Sequence, residues 1–209
     1  MGFDLAYEEV FRATVVGLKS RDGVVMATDR RLSYGNIVLS RAAKKIFVVD
    51  ERAAVAFAGL YGDVSGLVRF LQADISAYKL IANAPVTIRS IARRLSVLMY
   101  SYKWFPFFVE TLVGGVESDG TPRLYVLDPL GSILEEDYTA VGSGATIAFG
   151  FLENNYSSNV TVEEAEKIAL SAVRTAIGRD IGSGDGIDIV TITRNGARER
   201  SVTLRIVES

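Results

Sequence analysis

The chemistry open to this chain is limited by the residue types that its sequence lacks. Its 209 residues include no histidine and no cysteine. A Ser-His-Asp triad, a Cys-His dyad and a histidine- or thiolate-ligated metal site are therefore excluded within the chain. Any hydrolytic nucleophile here would need a lysine, a carboxylate or an α-amine as its base. We expect neither a metal nor a cofactor.

Candidate reactive residues occur at glycine-flanked or charged positions between regular elements. The glycine-flanked positions are Ala58-Gly59, Gly142-Ser143-Gly144 and residues 180–186. Asp29 ends a predicted strand, and Lys45 begins another. Each signal alone is weak, since Gly-Ser-Gly is commonly a turn or a helix N-cap. Residues 180–186 could form a phosphate-binding nest, but they lack the lysine of a P-loop.

Runs rich in β-branched residues between turn signals predict the strands that would position these residues, and apolar periodicity predicts helices. Strands are predicted at residues 13–19, 24–28, 37–39, 45–49, 53–57, 108–116, 123–127, 132–136, 187–193 and 201–206. Helices are predicted at residues 63–80, 86–102, 145–155 and 162–179. Asp22-Gly23 and Asn195-Gly196 indicate hairpin turns. Pro85 suits a helix start, and Thr161 with Glu164 fits a capping box.

The order of these elements favours an α+β fold in four layers. Two antiparallel sheets would pack against each other, with helices on both outer faces, as an αββα sandwich. We predict one domain over residues 13–209, preceded by an N-terminal extension or unprocessed propeptide-like segment at residues 1–12.

Composition narrows the expected partners and compartment. The net charge is −2, and Lys and Arg form no concentrated stripe, so nucleic acid binding has little electrostatic support. No stretch approaches the roughly 20 apolar residues that span a bilayer, and the predicted compartment is the cytoplasm. A mean hydropathy of +0.24 fits a subunit that buries faces against neighbours.

Taken together, the spaced motifs resemble a known family over about residues 13–193. The motifs are Gly23-Val-Val-Met-Ala-Thr-Asp-Arg-Arg31, Ala43-Lys-Lys-Ile46, Ala58-Gly59, Gly62-Asp63, Gly114-Gly115-Val116, Leu127-Asp-Pro-Leu-Gly131, Gly142-Ser-Gly144, Arg179-Asp180, Ser183-Gly184 and Gly186-Ile-Asp188. In this order they resemble proteasome β subunits, especially archaeal ones. The resemblance implies the same sandwich fold and, for active members, an N-terminal nucleophile hydrolase that acts as a threonine endopeptidase.

The resemblance also implies roles for individual residues. In active members the hydroxyl of an N-terminal threonine attacks the peptide carbonyl, and its own α-amine or a nearby lysine handles the proton. Lys45 resembles that lysine, Asp29 the acid paired with it, and the Gly59 N–H the oxyanion donor. The residues that surround the threonine amine correspond to Ser143, Asp180 and Ser183. Positions lining the substrate cleft correspond to Leu32, Ala43, Phe57 and Tyr61, a fairly apolar set.

The nucleophile position itself departs from the family pattern. It is occupied by Ala13, which has no hydroxyl, and Arg12 stands where active members carry the glycine before the cleaved bond. Thr14 is the alternative nucleophile, if cleavage fell between Ala13 and Thr14. Side chains alternate along a strand, so we expect Thr14 to point away from Lys45. Ala13 could be engineered or natural, and Arg12 favours a natural inactive subunit.

The sequence therefore predicts a catalytically silent, structural β subunit of an archaeal proteasome core particle. Its implied partners are proteasome α subunits, a second and catalytic β paralogue and, indirectly, an ATP-dependent unfoldase. The resemblance implies heptameric rings stacked into a barrel that degrades unfolded proteins. An active threonine endopeptidase using Thr14 is the main alternative. A bacterial self-compartmentalising relative is a third, although the two-helix layout and residues 127–131 favour the archaeal type.

Overall fold

A computed structural model describes residues 12–204 of the chain. The strands in this part are β1 (Val15–Ser20), β2 (Gly23–Asp29), β3 (Leu32–Tyr34), β4 (Ile37–Ser40), β5 (Ile46–Asp50), β6 (Ala53–Gly59), β7 (Val109–Val116), β8 (Pro122–Leu127), β9 (Ile133–Glu135), β10 (Tyr138–Val141), β11 (Gly186–Thr193) and β12 (Gly196–Thr203). The helices are α1 (Tyr61–Ala82), α2 (Ile88–Ser101), α3 (Ala145–Asn155) and α4 (Val162–Ile177).

The strands form two five-stranded sheets and one small hairpin. The first sheet has the order β10-β1-β2-β11-β12, the second has the order β5-β6-β7-β8-β9, and β3 pairs with β4. Neighbouring strands are antiparallel in all three. The predicted α+β sandwich of two antiparallel sheets flanked by helices is confirmed.

Three apolar layers hold the sandwich together, and the sequence of β2 shows why. Val24 and Met26 point into the layer between the two sheets, whereas Val25 and Ala27 point into the layer under α3 and α4. This alternation follows from the two-residue period of a strand, and both faces of β2 are buried. A third layer lies between the second sheet and the helices α1 and α2.

Local signals set the helix boundaries, with one correction. The predicted capping box is confirmed, because Thr161 accepts from the Glu164 amide while the Glu164 carboxylate accepts from the Thr161 amide. The second helix was predicted to begin at Val86, directly after Pro85, and it begins two residues later, at Ile88. Thr87 is the N-cap, and its hydroxyl accepts from the Ser90 amide at 3.0 Å. Within residues 12–204, no helix is long and apolar enough to cross a bilayer.

Several strand predictions also need correction. The short strands β3 and β10 were not predicted, and β12 begins at Gly196 rather than at residue 201. The predicted hairpin turn over Ser20-Arg21-Asp22-Gly23 is confirmed, because Ser20 pairs with Gly23 and the loop between them is Arg21-Asp22. The N-terminal extension up to residue 11 and the predicted strand end at residues 205–206 lie outside the described residues.

Candidate active site

Most of the predicted site residues meet at one end of the sandwich. Asp29 and Gly59 end β2 and β6, while Lys45 directly precedes β5. Ala13 and Thr14 directly precede β1, next to Ser143, which follows β10. Antiparallel pairing brings strand starts beside strand ends, which is why residues far apart in sequence become neighbours here.

Asp29 is the hydrogen-bonding centre of this region. Its Oδ1 accepts from Lys45 Nζ at 2.7 Å and from the Thr14 amide at 3.0 Å. Its Oδ2 accepts from the amides of Arg31 at 2.9 Å and Gly184 at 3.0 Å. The side chains of Asp29 and Lys45 are 0% and 6% exposed. Burying this charged pair would be costly if Asp29 lacked these four hydrogen bonds. The same bonds connect four chain segments through the carboxylate of Asp29.

A second network connects Thr14 with Asp180 through hydroxyl groups. Ser183 and Ser143 both donate to Asp180 Oδ2, at 2.5 and 2.8 Å. Thr14 Oγ1 lies 2.7 Å from Ser183 Oγ. A serine hydroxyl has one proton, and the proton of Ser183 is directed to Asp180, so Thr14 is the donor to Ser183.

Ala13 lies beside Ser143, one residue before the amide that binds Asp29, but it brings no reactive group to this region. The residue is 1% exposed and belongs to the apolar layer between the sheets, with Val15 and Ala58. Its nitrogen is a peptide nitrogen joined to Arg12, and the N–H donates to Ser143 Oγ at 3.3 Å. At this position there is neither a hydroxyl nor a free α-amine.

Thr14 lies in a closed environment. It is fully buried, and its hydroxyl is directed to Ser183, whereas only its backbone amide contacts Asp29. The neighbouring Gly144 leaves no spare volume, because a Cβ there would lie 1.9 Å from Thr14 Oγ1. The hydroxyl of Thr14 therefore makes a buried contact with Ser183 and is not exposed at the surface.

Gly59 is required by the backbone geometry of the site. Its φ is +143°, and a Cβ would lie 2.1 Å from the carbonyl oxygen of Phe108. The adjacent Leu60 amide donates to the same carbonyl at 2.8 Å. Glycine is thus the only residue that fits this close approach of β6 and β7. Its role as an oxyanion donor stays a prediction.

The four predicted cleft residues differ in accessibility. Leu32 and Tyr61 are half-buried, at the start of β3 and of α1. Ala43 is buried, and Phe57 is 1% exposed within the layer under α1 and α2. The ring of Phe57 contacts Phe47 edge-on, with centroids 6.3 Å apart. Side-chain contact with a ligand at the surface is therefore open to Leu32 and Tyr61, whereas Phe57 forms part of the core.

Two supporting interactions were not predicted. Arg31 Nε binds Asp185 Oδ2 at 2.8 Å, and its Nη1 donates to the Ile181 carbonyl at 3.1 Å. This contact holds the segment that carries Asp180 and Ser183, and the hydrogen bond to Asp185 raises the pKa of Arg31. No sequence signal identifies it, because Arg31 and Asp185 are 154 positions apart.

Glu110 is the second supporting residue. Its Oε2 accepts from the Gly142 amide at 2.8 Å, which connects β7 of the second sheet with the turn before Ser143. Burial raises the pKa of Glu110, and the nearby charge of Asp128 acts in the same direction. A single acidic residue within the apolar segment 108–116 is the sequence signal that could have identified it.

Comparison with known proteins identifies the family. The sequence model of the family described as proteasome subunit matches residues 10–192. This range covers most of the 209 residues, and the chain belongs to the proteasome subunit family.

Similar relatives carry names from the same family. The chain is 45% identical over 204 residues to proteasome subunit beta 1 of Hyperthermus butylicus, covering 96% of this chain and 100% of the relative. It is 46% identical over 195 residues to proteasome subunit beta 2 of Pyrobaculum aerophilum, covering 93% and 96%. Proteasome subunit beta 1 of Desulfurococcus amylolyticus is 45% identical over 199 residues, covering 95% and 98%.

Proposed function

We propose that the chain is a catalytically silent β subunit of an archaeal proteasome core particle. The observation that carries the proposal is that Ala13, which has no hydroxyl, lies beside Ser143, which binds Asp180, while Asp29 binds Lys45 and the amide of the next residue, Thr14. In the active members that the chain resembles, a threonine hydroxyl at the position of Ala13 would attack the peptide carbonyl. Alanine cannot form the acyl-enzyme, so the chain would contribute structure rather than chemistry.

The polar residues of the site would have a structural role in such a subunit. Asp29 and Lys45 would fix the starts and ends of four segments, while Asp180 would hold Ser143 and Ser183 in place. Asp29 bonds the amide of Thr14, so it would also hold the first strand in register. Retention of these residues without a nucleophile is consistent with this role.

Exposed apolar surface supports an assembled state. Trp104 and Phe105, in the segment between α2 and β7, are 81% and 87% exposed. Tyr34, Ile37 and Leu39 of the β3–β4 hairpin are also largely exposed. Exposed apolar side chains that cluster in one segment are a common feature of surfaces that contact other proteins. The proposed partners are α subunits and a catalytic β paralogue, with an ATP-dependent unfoldase acting indirectly, in the cytoplasm.

The proposal is tested by the mature N-terminus of the chain in its native assembly. Intact mass and N-terminal sequencing should show that residues before Ala13 are retained, apart from loss of Met1. Particles assembled from this chain and α subunits should hydrolyse no peptide and form no adduct with threonine-directed electrophiles. A chain that begins at Thr14, or an adduct mapped to Thr14, would establish the active alternative instead.

A further inference from the structure

Arg12 makes a long-range contact that has no part in the two hydrogen-bond networks around Asp29 and Asp180. Its side chain lies over Gly182, where a Cβ would come within 2.8 Å of Arg12 Cβ and 3.0 Å of Ser143 Oγ. Its Nη1 then donates a hydrogen bond to the carbonyl of Gly35. The side chain thus crosses from the segment that carries Asp180 to the β3–β4 hairpin, directly beside Ser143.

The β3–β4 hairpin has few hydrogen bonds of its own to hold it in place. β3 pairs only with β4 and joins neither of the large sheets. Its turn includes Gly35, which has a φ of +54°. A two-stranded ribbon is at best marginally stable without further contacts. A hydrogen bond from a charged donor to the carbonyl of the turn is stronger than one from a neutral donor.

We propose that Arg12 is an internal latch that fixes the β3–β4 hairpin against residues 180–186 and closes the approach to Ala13 beside Ser143. The latch persists as long as the bond between Arg12 and Ala13 is intact. Cleavage at this bond would remove the guanidinium together with the preceding chain. The absence of a nucleophile and the presence of the latch would then act together, because without cleavage Arg12 stays attached to Ala13.

Hydrogen exchange of the full-length chain, in the assembly that it forms, tests the mechanical part of the latch. Amides of residues 33–40 should exchange about tenfold faster in Arg12→Ala, since a hydrogen bond from a charged group is worth at least about 1.4 kcal/mol, a factor of ten. Arg12→Lys keeps the charge and should give an intermediate rate. Arg21→Ala removes an exposed arginine from the β1–β2 loop and should leave the hairpin unchanged.

Binding of a small probe tests whether the latch blocks the site. The probe is a fluorescein-labelled, N-capped tripeptide amide with a C-terminal leucine, measured by fluorescence anisotropy. Arg12→Ala should bind it at least about tenfold more tightly than the wild type, and Arg21→Ala should not. Unchanged hairpin exchange in Arg12→Ala would overturn the latch, and faster exchange without tighter binding would overturn its blocking role.

The inference depends on the proposed function in one respect only, which is that the mature chain keeps residue 12. Failure to assemble with α subunits would refute that function but leave the exchange result intact.

Discussion

Asp29 and Lys45 form a buried ion pair whose two members should not be equally costly to replace. In Lys45→Met, Asp29 loses one donor but keeps the amides of Thr14, Arg31 and Gly184. In Asp29→Asn, the new amide group must face two N–H donors whichever way it is turned, and Lys45 loses its anion. The aspartate variant should therefore be the less stable of the two.

Magnitudes follow from the number of bonds lost. Lys45→Met removes one charge-assisted hydrogen bond, worth about 1.5–3 kcal/mol. Asp29→Asn leaves a buried cation unpaired, which costs about 3–5 kcal/mol. For a chain of this size, each kcal/mol lowers Tm by about 2–4 °C. We expect Asp29→Asn to melt below Lys45→Met by several degrees.

Thermal and urea unfolding of the full-length variants at matched concentration measure this difference. Lys44→Met is the matched control, because the neighbouring Lys44 binds Glu199 in a half-exposed surface pair at 2.8 Å. Such a pair contributes at most about 1 kcal/mol. A Lys45→Met variant as unstable as Asp29→Asn would refute the argument that Asp29, rather than the ion pair, organises the site.

Three further predictions concern other parts of the chain. The double variant Arg12→Gly with Ala13→Thr should restore self-cleavage and some peptidase activity, which N-terminal sequencing and a fluorogenic peptide would detect; neither would appear if the site were distorted. Thr161→Ala should lower the free energy of unfolding by about 1 kcal/mol, because α4 loses its N-cap, whereas Thr175→Ala should cost less. The Tm of Glu110→Gln minus the Tm of the wild type should increase as pH rises from about 4 to 8. Burial raises the pKa of Glu110, so the stability that its proton provides is lost as pH rises through that pKa, and glutamine removes the dependence. A difference in Tm that is constant with pH would contradict this.

Elements with strong periodicity could be predicted from the sequence, and those without it could not. Helix α3 was predicted with its observed bounds, Ala145–Asn155, and β2 was predicted as the partner strand that follows the Asp22-Gly23 turn signal. The N-terminal part of β12 was missed, because Gly196–Thr203 contains several charged residues and lies at a sheet edge with a single partner strand. An edge strand with solvent on one side carries little of the apolar pattern on which such predictions depend.

The residues of the candidate site could be predicted from the sequence, but the hydrogen bonds that they make could not. The resemblance selected Asp29, Lys45, Ser143, Asp180 and Ser183, and the structure brings them into two connected networks. The sequence did not indicate that the carboxylate of Asp29 also bonds three backbone amides. Backbone donors have no signature in a sequence, since every residue except proline has one.

The closed environment of Thr14 and the small side chain of Ala13 have a consequence for how such a subunit can arise. Within the described network, the hydroxyl of Thr14 and the carboxylate of Asp29 support the fold, whereas the methyl group of Ala13 only fills space between the sheets. Under the proposed function, a substitution at position 13 alone can therefore remove the catalytic activity without disturbing the fold. A cell that makes both a silent and an active β chain could adjust the dose of active sites in each particle through the ratio of the two chains alone, without altering the barrel.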